Sequence, residues 1–174
     1  MGDLIEWEEV DTITAGAIGE PGQRVFMIQA RRGAETLSVV VEKEQVAILA
    51  TEAQELLARI VEEDPPTPEA MHPPLLETPV AAAVPLFRAR LIGLGYDPES
   101  RMVLIELRED AVEEGGMPPP IEESEGYVAR LHATRGQVLA MTGSGSAAVA
   151  AGRPACSLCG FPMDPDGHPC PRWN

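Results

Sequence analysis

Seven prolines lie between Asp64 and Pro85 (Pro65, Pro66, Pro68, Pro73, Pro74, Pro79 and Pro85), and they constrain this chain more than any other feature. Each fixes φ and lacks a backbone N–H, so neither a regular helix nor a central strand can run through the segment. Such a stretch is a semi-rigid spacer, although some also serve as ligands for proline-reading domains. It divides the chain into two parts that are each short of residues for a large core, so the two are expected to share one.

Both parts read alike. Leu4–Val10 and Ile13–Ile18 are short strand candidates, followed by a turn at Gly19-Glu20-Pro21-Gly22. Arg24–Arg31 (RVFMIQAR) and Thr36–Lys43 (TLSVVVEK) are apolar and β-branched enough for strands, and Arg32-Gly33-Ala34-Glu35 joins them as a hairpin. From Gln45 to Glu62 the spacing turns helical. Val46, Leu49, Ala53, Leu56, Leu57 and Ile60 form one stripe opposite Glu52, Glu55, Arg59 and Glu62, so this helix should lie on the sheet by its apolar face.

After the prolines, Leu86–Gly95 and Arg101–Arg108 (RMVLIELR) are strands around an Asp97-Pro98-Glu99-Ser100 turn, and Tyr127–Ala133 is a third. Thr134 with Gln137 three residues on is a capping box that opens a second helix. RVFMIQAR aligns with RMVLIELR, and Gln45-Val46 at the first helix echoes Gln137-Val138 at the second. The expected fold is therefore α+β: two βββα-like halves with mainly antiparallel sheet, at 1–63 and 86–152, joined by the linker at 64–85 and followed by a metal knuckle at 153–174. The loop Glu109–Glu125, with seven acidic residues and Pro118-Pro119-Pro120, is an insertion expected to be exposed and mobile.

The knuckle rests on chemistry. All three cysteines and one of three histidines fall in the last nineteen residues, as Cys156-x-x-Cys159-Gly160 and His168-x-Cys170. Three thiolates and an imidazole make the closed four-ligand set of a structural zinc ion. Gly160 suits the tight turn of such a knuckle, and Asp164-Pro165-Asp166-Gly167 is a turn that can send the chain back to it. The expected metal ligands are Cys156, Cys159, His168 and Cys170. A redox Cys-x-x-Cys would open a helix after a strand, whereas Gly160-Phe161-Pro162 follows here. A structural disulfide would leave one cysteine over. A zinc deaminase needs an upstream His-x-Glu, but Pro73-Pro74 follows His72 and Ala133-Thr134 follows His132.

Composition narrows the classes further. Aromatic residues make up only 4%, so Val, Ile, Leu, Ala and Met must build the core. The net charge of -15 repels phosphate backbones and anionic headgroups, which argues against nucleic-acid and membrane partners. Only Arg153 and Arg172 offer a local basic patch near the knuckle. No apolar run approaches the ~20 residues of a membrane span, and the acidic start Met1–Glu9 lacks a signal-peptide pattern. Cysteines kept as metal ligands suit a reducing compartment, so the cytoplasm is the expected location.

Other motifs carry less. Gly143-Ser144-Gly145-Ser146-Ala147-Ala148 matches a dinucleotide-binding glycine pattern, but no parallel strand follows, so a final helix roughened by glycine and serine is expected and no organic cofactor. Arg24, Gln29 and Arg31 form a polar set on the first hairpin that could bind an anion or simply face solvent. His132 is a lone strand histidine.

Several stretches together resemble a known family. They are Ala15-Gly16-x-x-Gly19-x-Pro21-Gly22-x-Arg24-x-Phe26-x-x-Gln29-Ala30-Arg31, Glu42-Lys43-x-Gln45-Val46, Gly95-Tyr96-Asp97, and Ala151-Gly152-Arg153-Pro154 running into the knuckle. The chain resembles a bacterial, mainly actinobacterial, domain-of-unknown-function family (family 3090) over nearly its whole length. That resemblance implies no reaction and no substrate. The chain departs from it at Thr142-Gly143-Ser144-Gly145-Ser146, where an alanine- and arginine-rich stretch would be expected, and it stops at Asn174, a few residues early. The expected function is a non-enzymatic, zinc-stabilised interaction module with an unidentified protein partner, and a homo-oligomer is compatible with it. The alternative is a hydrolase or transferase with a site between the halves, around Arg24, Arg31 and His132.

Overall fold

A computed structural model describes residues 2–65, 80–110, 116–164 and 166–172. The first part contains β1 (Leu4–Trp7), β2 (Thr12–Ile18), β3 (Val25–Arg32), β4 (Glu35–Val41) and α1 (Lys43–Glu63). The second contains β5 (Phe87–Arg88), β6 (Leu91–Asp97), β7 (Met102–Arg108), β8 (Val128–Ala133) and α2 (Arg135–Ala150). The β-branched and aliphatic runs form the strands, as their preference for a pleated, half-buried surface requires. The β3–β4 hairpin closes through Gly33 and Ala34, with Gly33 at φ 58°, a conformation glycine adopts without strain. The fold is α+β with two four-stranded, mainly antiparallel sheets, as expected.

The strands are shared out less locally than the sequence suggests. One sheet has the order β2-β3-β4-β5 and the other β1-β8-β7-β6. Each part thus sends its leading strand into the other part's sheet. β1 pairs parallel with β8, Trp7 opposite Leu131, and β5 pairs parallel with β4, Phe87 opposite Val39. Consequently the strand expected over Leu86–Gly95 is broken: Phe87–Arg88 joins one sheet and the chain resumes as β6 in the other. The strand expected over Leu4–Val10 ends at Trp7 for the same reason. Both leading strands bury an aromatic ring, Trp7 and Phe87, and Phe87 stacks on Tyr127 with centroids 5.6 Å apart.

The helices cross over too. α2 packs against β2 and against α1, and α1 reaches β6. The apolar face of α1, with Val46, Leu49, Ala50, Ala53 and Ile60 buried, is therefore turned to α2 and β6; the expectation of a helix resting mainly on a sheet is replaced by one resting largely on its counterpart. Two glutamines reinforce the exchange. Gln137 Nε2 donates to the carbonyls of Val10 (2.8 Å) and Asp11 (3.1 Å), between β1 and β2. Gln45 Nε2 donates to those of Ala89 (3.4 Å) and Arg90 (3.3 Å), between β5 and β6. Each Oε1 meanwhile accepts from the backbone N–H of its helix cap, Thr134 or Glu42, at 2.8 Å. Each glutamine occupies the third helical position, so both positions do the same work.

One apolar core spans both sheets and both helices, with Val39, Val103, Ile105, Leu107, Leu131, Val138 and Met141 almost wholly excluded from water. Each such side chain contributes roughly 1.5–3 kcal/mol by leaving water. The glycines of α2 belong to a continuous helix, not to a strand-to-helix turn. At Gly145 a Cβ would stand 2.9 Å from Val46 Cγ1 and 3.3 Å from Ala15 Cβ, so the missing side chain is what lets α1 and β2 approach.

The described end of the linker is pinned to the first sheet. Ala81 exchanges two hydrogen bonds with the Gln29 amide, at 2.7 and 2.8 Å, and Val80 covers Gly16. The described part of the acidic loop is likewise anchored: Ser124 is buried and bonded to Asp110, and Arg108 Nη1 donates to the Pro119 carbonyl at 2.6 Å. The described loop is exposed at Met117, Pro120, Glu122, Glu123 and Glu125, as expected, with Ser124 the buried exception, while 111–115 and the linker prolines from Pro66 to Pro79 lie outside the described residues. Among the described residues, no helix is long and apolar enough to cross a membrane.

Candidate metal centre

Past α2 the chain forms a tight pair of turns. Ala155 bridges to Pro162, and the Cys156 and Phe161 backbones bond at 2.8 Å, closing the first loop. Gly160 at φ 75° lets the Cys156–Cys159 turn close, and its N–H donates to the Cys156 carbonyl at 2.9 Å. The Asp164–Gly167 turn closes at 2.9 Å with Gly167 at φ 89°, returning His168 and Cys170 to the knuckle. Arg153 Nη1 pairs with Asp164 at 2.9 Å and Arg172 Nη1 donates to the Leu158 carbonyl at 3.2 Å, tying the second turn to the first.

These turns bring Cys156, Cys159, His168 and Cys170 together, with their ligand atoms all within 4.8 Å of one another. Cys159 Sγ lies 3.1 Å from His168 Nε2, and Cys156 Sγ lies 3.9 Å from Cys170 Sγ. Two thiolates on one tetrahedral ion at ~2.3 Å bond length stand about 3.8 Å apart, so the latter spacing fits a shared cation. The group could hold a metal ion. His168 Nδ1 is buried with no partner among the described residues, so no hydrogen bond orients the ring from its far side.

Local electrostatics differentiate the thiols. The backbone N–H groups of Cys159 and Leu158 hold the Cys156 thiol below its ordinary value, while burial pushes the Cys159 thiol up. The Leu158 N–H lies 3.4 Å from Cys156 Sγ. The first cysteine is therefore the readier thiolate. A cation shared by the cluster would supply the charge that brings the second to the same state. With three sulfurs and one nitrogen around it, such an ion would have a full tetrahedral shell and act as a cross-link.

The other sequence candidates scatter. Gln29 is buried between Ser38 and Ala81, Arg31 is exposed, and His132 stands on β8 with its Nε2 3.9 Å from Glu6. Arg24 lines a cleft to which neither Arg31 nor His132 contributes. Two groupings were not legible in the sequence. One is a clasp in which Arg101 and Arg135 both grip the Asp64 carboxylate while Tyr96 donates to it at 2.6 Å. The other is the Arg24 cleft itself. Their members lie far apart in sequence; the only forewarning was that Arg24 and Arg101 open aligned strands.

Residues 5–170 match a family described as "Protein of unknown function (DUF3090)". The chain belongs to that family. No curated protein and no solved structure matches it.

Proposed function

We propose that this member of the DUF3090 family is a non-enzymatic, zinc-stabilised module that binds another protein as an adaptor in a reducing, cytoplasmic setting. The observation that carries the reading is the knuckle's division of labour. Its four Cys and His side chains converge inward, while Leu158 and Phe161 are 48% and 60% exposed on its outside. Thiolate and imidazole donors in a tetrahedral set favour zinc over harder or octahedral ions. A four-ligand shell leaves no position for a reacting water, so the ion's contribution is shape. Exposed apolar side chains on a rigid loop are the usual anchors of a protein interface.

The test is native mass spectrometry of the protein isolated from its own cells, alongside the double substitution Leu158→Ser and Phe161→Ser. The expected result is one zinc ion and one stoichiometric second protein, with the double variant keeping the zinc and losing the partner. Zinc without a partner, or a partner retained by the double variant, would refute the interface. A homodimer lost in the variant would identify the partner as a second copy of the chain.

A further inference from the structure

The two halves are near-equivalents, and one position breaks the equivalence. In the second half, Arg101 immediately precedes β7 and Arg135 is the first residue of α2; both grip the carboxylate of Asp64, which caps the end of α1. In the first half, Arg24 immediately precedes β3 and Lys43 is the first residue of α1, and both line one cleft at the end of α2. Among the described residues, no carboxylate pairs with either of them. α2 has 16 residues against 21 in α1 and ends at Ala150, so its cap is Ala151, and the chain continues through Gly152 and Arg153. The partner of Tyr96 in this comparison is Ala17: Tyr96 pairs with Val103 as Ala17 pairs with Phe26. The first half thus has neither a capping aspartate at its helix end nor a tyrosine at this strand position, and the cleft is lined there by Gly152 and Arg153.

The cleft has a volume of about 320 Å³, within the range of small-molecule sites. Arg88 and Arg153 join Arg24 and Lys43 in lining it, so four cations gather in one place on a chain of net charge -15. Glu42 and Glu44 also line it. Glu42 is bound by Arg88, and Arg153 is bound by Asp164. Among the described residues, no ion pair joins Arg24 or Lys43 to a carboxylate, and Arg24 donates only to the Ala148 carbonyl, at 3.3 Å. Phe26 and Val41 form an apolar floor.

We infer that this cleft binds a small molecule through a phosphate group, which takes the place that the Asp64 carboxylate holds in the other half. Arg88 and Arg153 are already held by Glu42 and Asp164, so Arg24 and Lys43, which no ion pair occupies among the described residues, are the cations open to a ligand. Guanidinium forks are suited to several oxygens of one phosphate. The apolar floor leaves room for an organic remainder. The site borders the knuckle through Arg153 and Pro162 but uses neither Leu158 nor Phe161, so the two readings are tested by different variants.

The test is a titration of the intact, metal-loaded protein with inorganic phosphate, phenyl phosphate and acetate, followed by amide and guanidinium NMR shifts. The expected result is saturable shifts at Gly22, Gly152 and the Arg24 side chain, with phosphate binding tighter than acetate and phenyl phosphate tighter still. Arg24→Gln and Lys43→Gln should each weaken phosphate by at least about tenfold, the loss of one charge-assisted hydrogen bond. Lys43 is exposed, so its variant tests the site even if Arg24→Gln unsettles the fold. Arg59→Gln, which removes the same charge from the far side of α1, should change nothing. Shifts absent from these residues, equal loss in Arg59→Gln, or acetate binding as well as phosphate would overturn the inference.

Discussion

The body and the tail of this molecule hold their shapes by different means. In the body, two sheets trade strands and the two helices pack on each other, so that one apolar core draws on both halves of the sequence. In the tail, from residue 153 to 172, Cys156 is the single buried residue among those described. The tail's order comes from turns, a few hydrogen bonds, the Arg153–Asp164 pair and a metal-ligand set. Twenty residues cannot bury enough apolar surface to offset the loss of chain entropy. The contrast shows one chain using shared apolar area where it has length, and coordination chemistry where it has none.

The comparison makes the body a single cooperative unit, and the largest effect should come from its centre. Leu131 lies on β8 opposite Trp7 of β1 and Ile105 of β7. Leu131→Ala should cost about 2–5 kcal/mol and lower one thermal transition shared by near-ultraviolet and far-ultraviolet signals. Two separate transitions would show that the halves fold apart. The reciprocal glutamines sharpen the point. Gln45→Ala and Gln137→Ala should each cost about 1–2 kcal/mol in urea unfolding, within about 0.5 kcal/mol of one another. A large effect of one and none of the other would break the equivalence.

Within α2, two neighbouring glycines should respond with opposite sign. Gly143 has open space where a Cβ would go, so Gly143→Ala should gain about 0.5–1 kcal/mol from helix propensity. Gly145→Ala meets the buried Val46 and Ala15, and overpacking should outweigh that gain, for a net loss of about 1 kcal/mol. Equal responses in denaturant midpoint would remove the close-packing argument.

The smallest effect at neutral pH belongs to the Asp64 clasp. The Tyr96 hydroxyl, then Arg101, hold this carboxyl below its usual value of 3.8. Its contribution is therefore present in full above that value and is lost as pH falls through the lower folded value. Asp64→Asn should lower stability by a small constant amount near neutrality and converge on the parent as pH falls, leaving a shallower acid limb in a stability-against-pH profile. An unchanged acid limb would show that the clasp adds nothing to folding.

Much of this was legible in the residues. The boundaries of β2, β3, β4, β7, β8 and α1, and the start of α2, fall within two residues of where period and capping place them. The aligned runs RVFMIQAR and RMVLIELR occupy equivalent strands. The four metal-ligand candidates could be picked out because their chemistry is rare and their spacing short. What was not legible is partnership. Nothing in Leu4–Trp7 or Phe87–Arg88 states that each pairs with the far half, because a period of two specifies a face and not a neighbour. Gly145 reads in the sequence as a flaw in a helix, whereas in the fold Val46 packs against it. Arg24, Lys43 and Arg153 meet only because α2 ends early, a consequence of length that no local motif carries.

The division between body and tail can be tested by hydrogen exchange on Cys159→Ser beside the parent protein. The account predicts that the amides of Cys156, Gly160, Met163 and Gly167, all hydrogen-bonded in the tail, lose their protection and the metal is lost with them. Amides of β3, β7 and β8 should keep theirs. Loss of protection spreading through those strands would contradict it, and would make the knuckle part of the core.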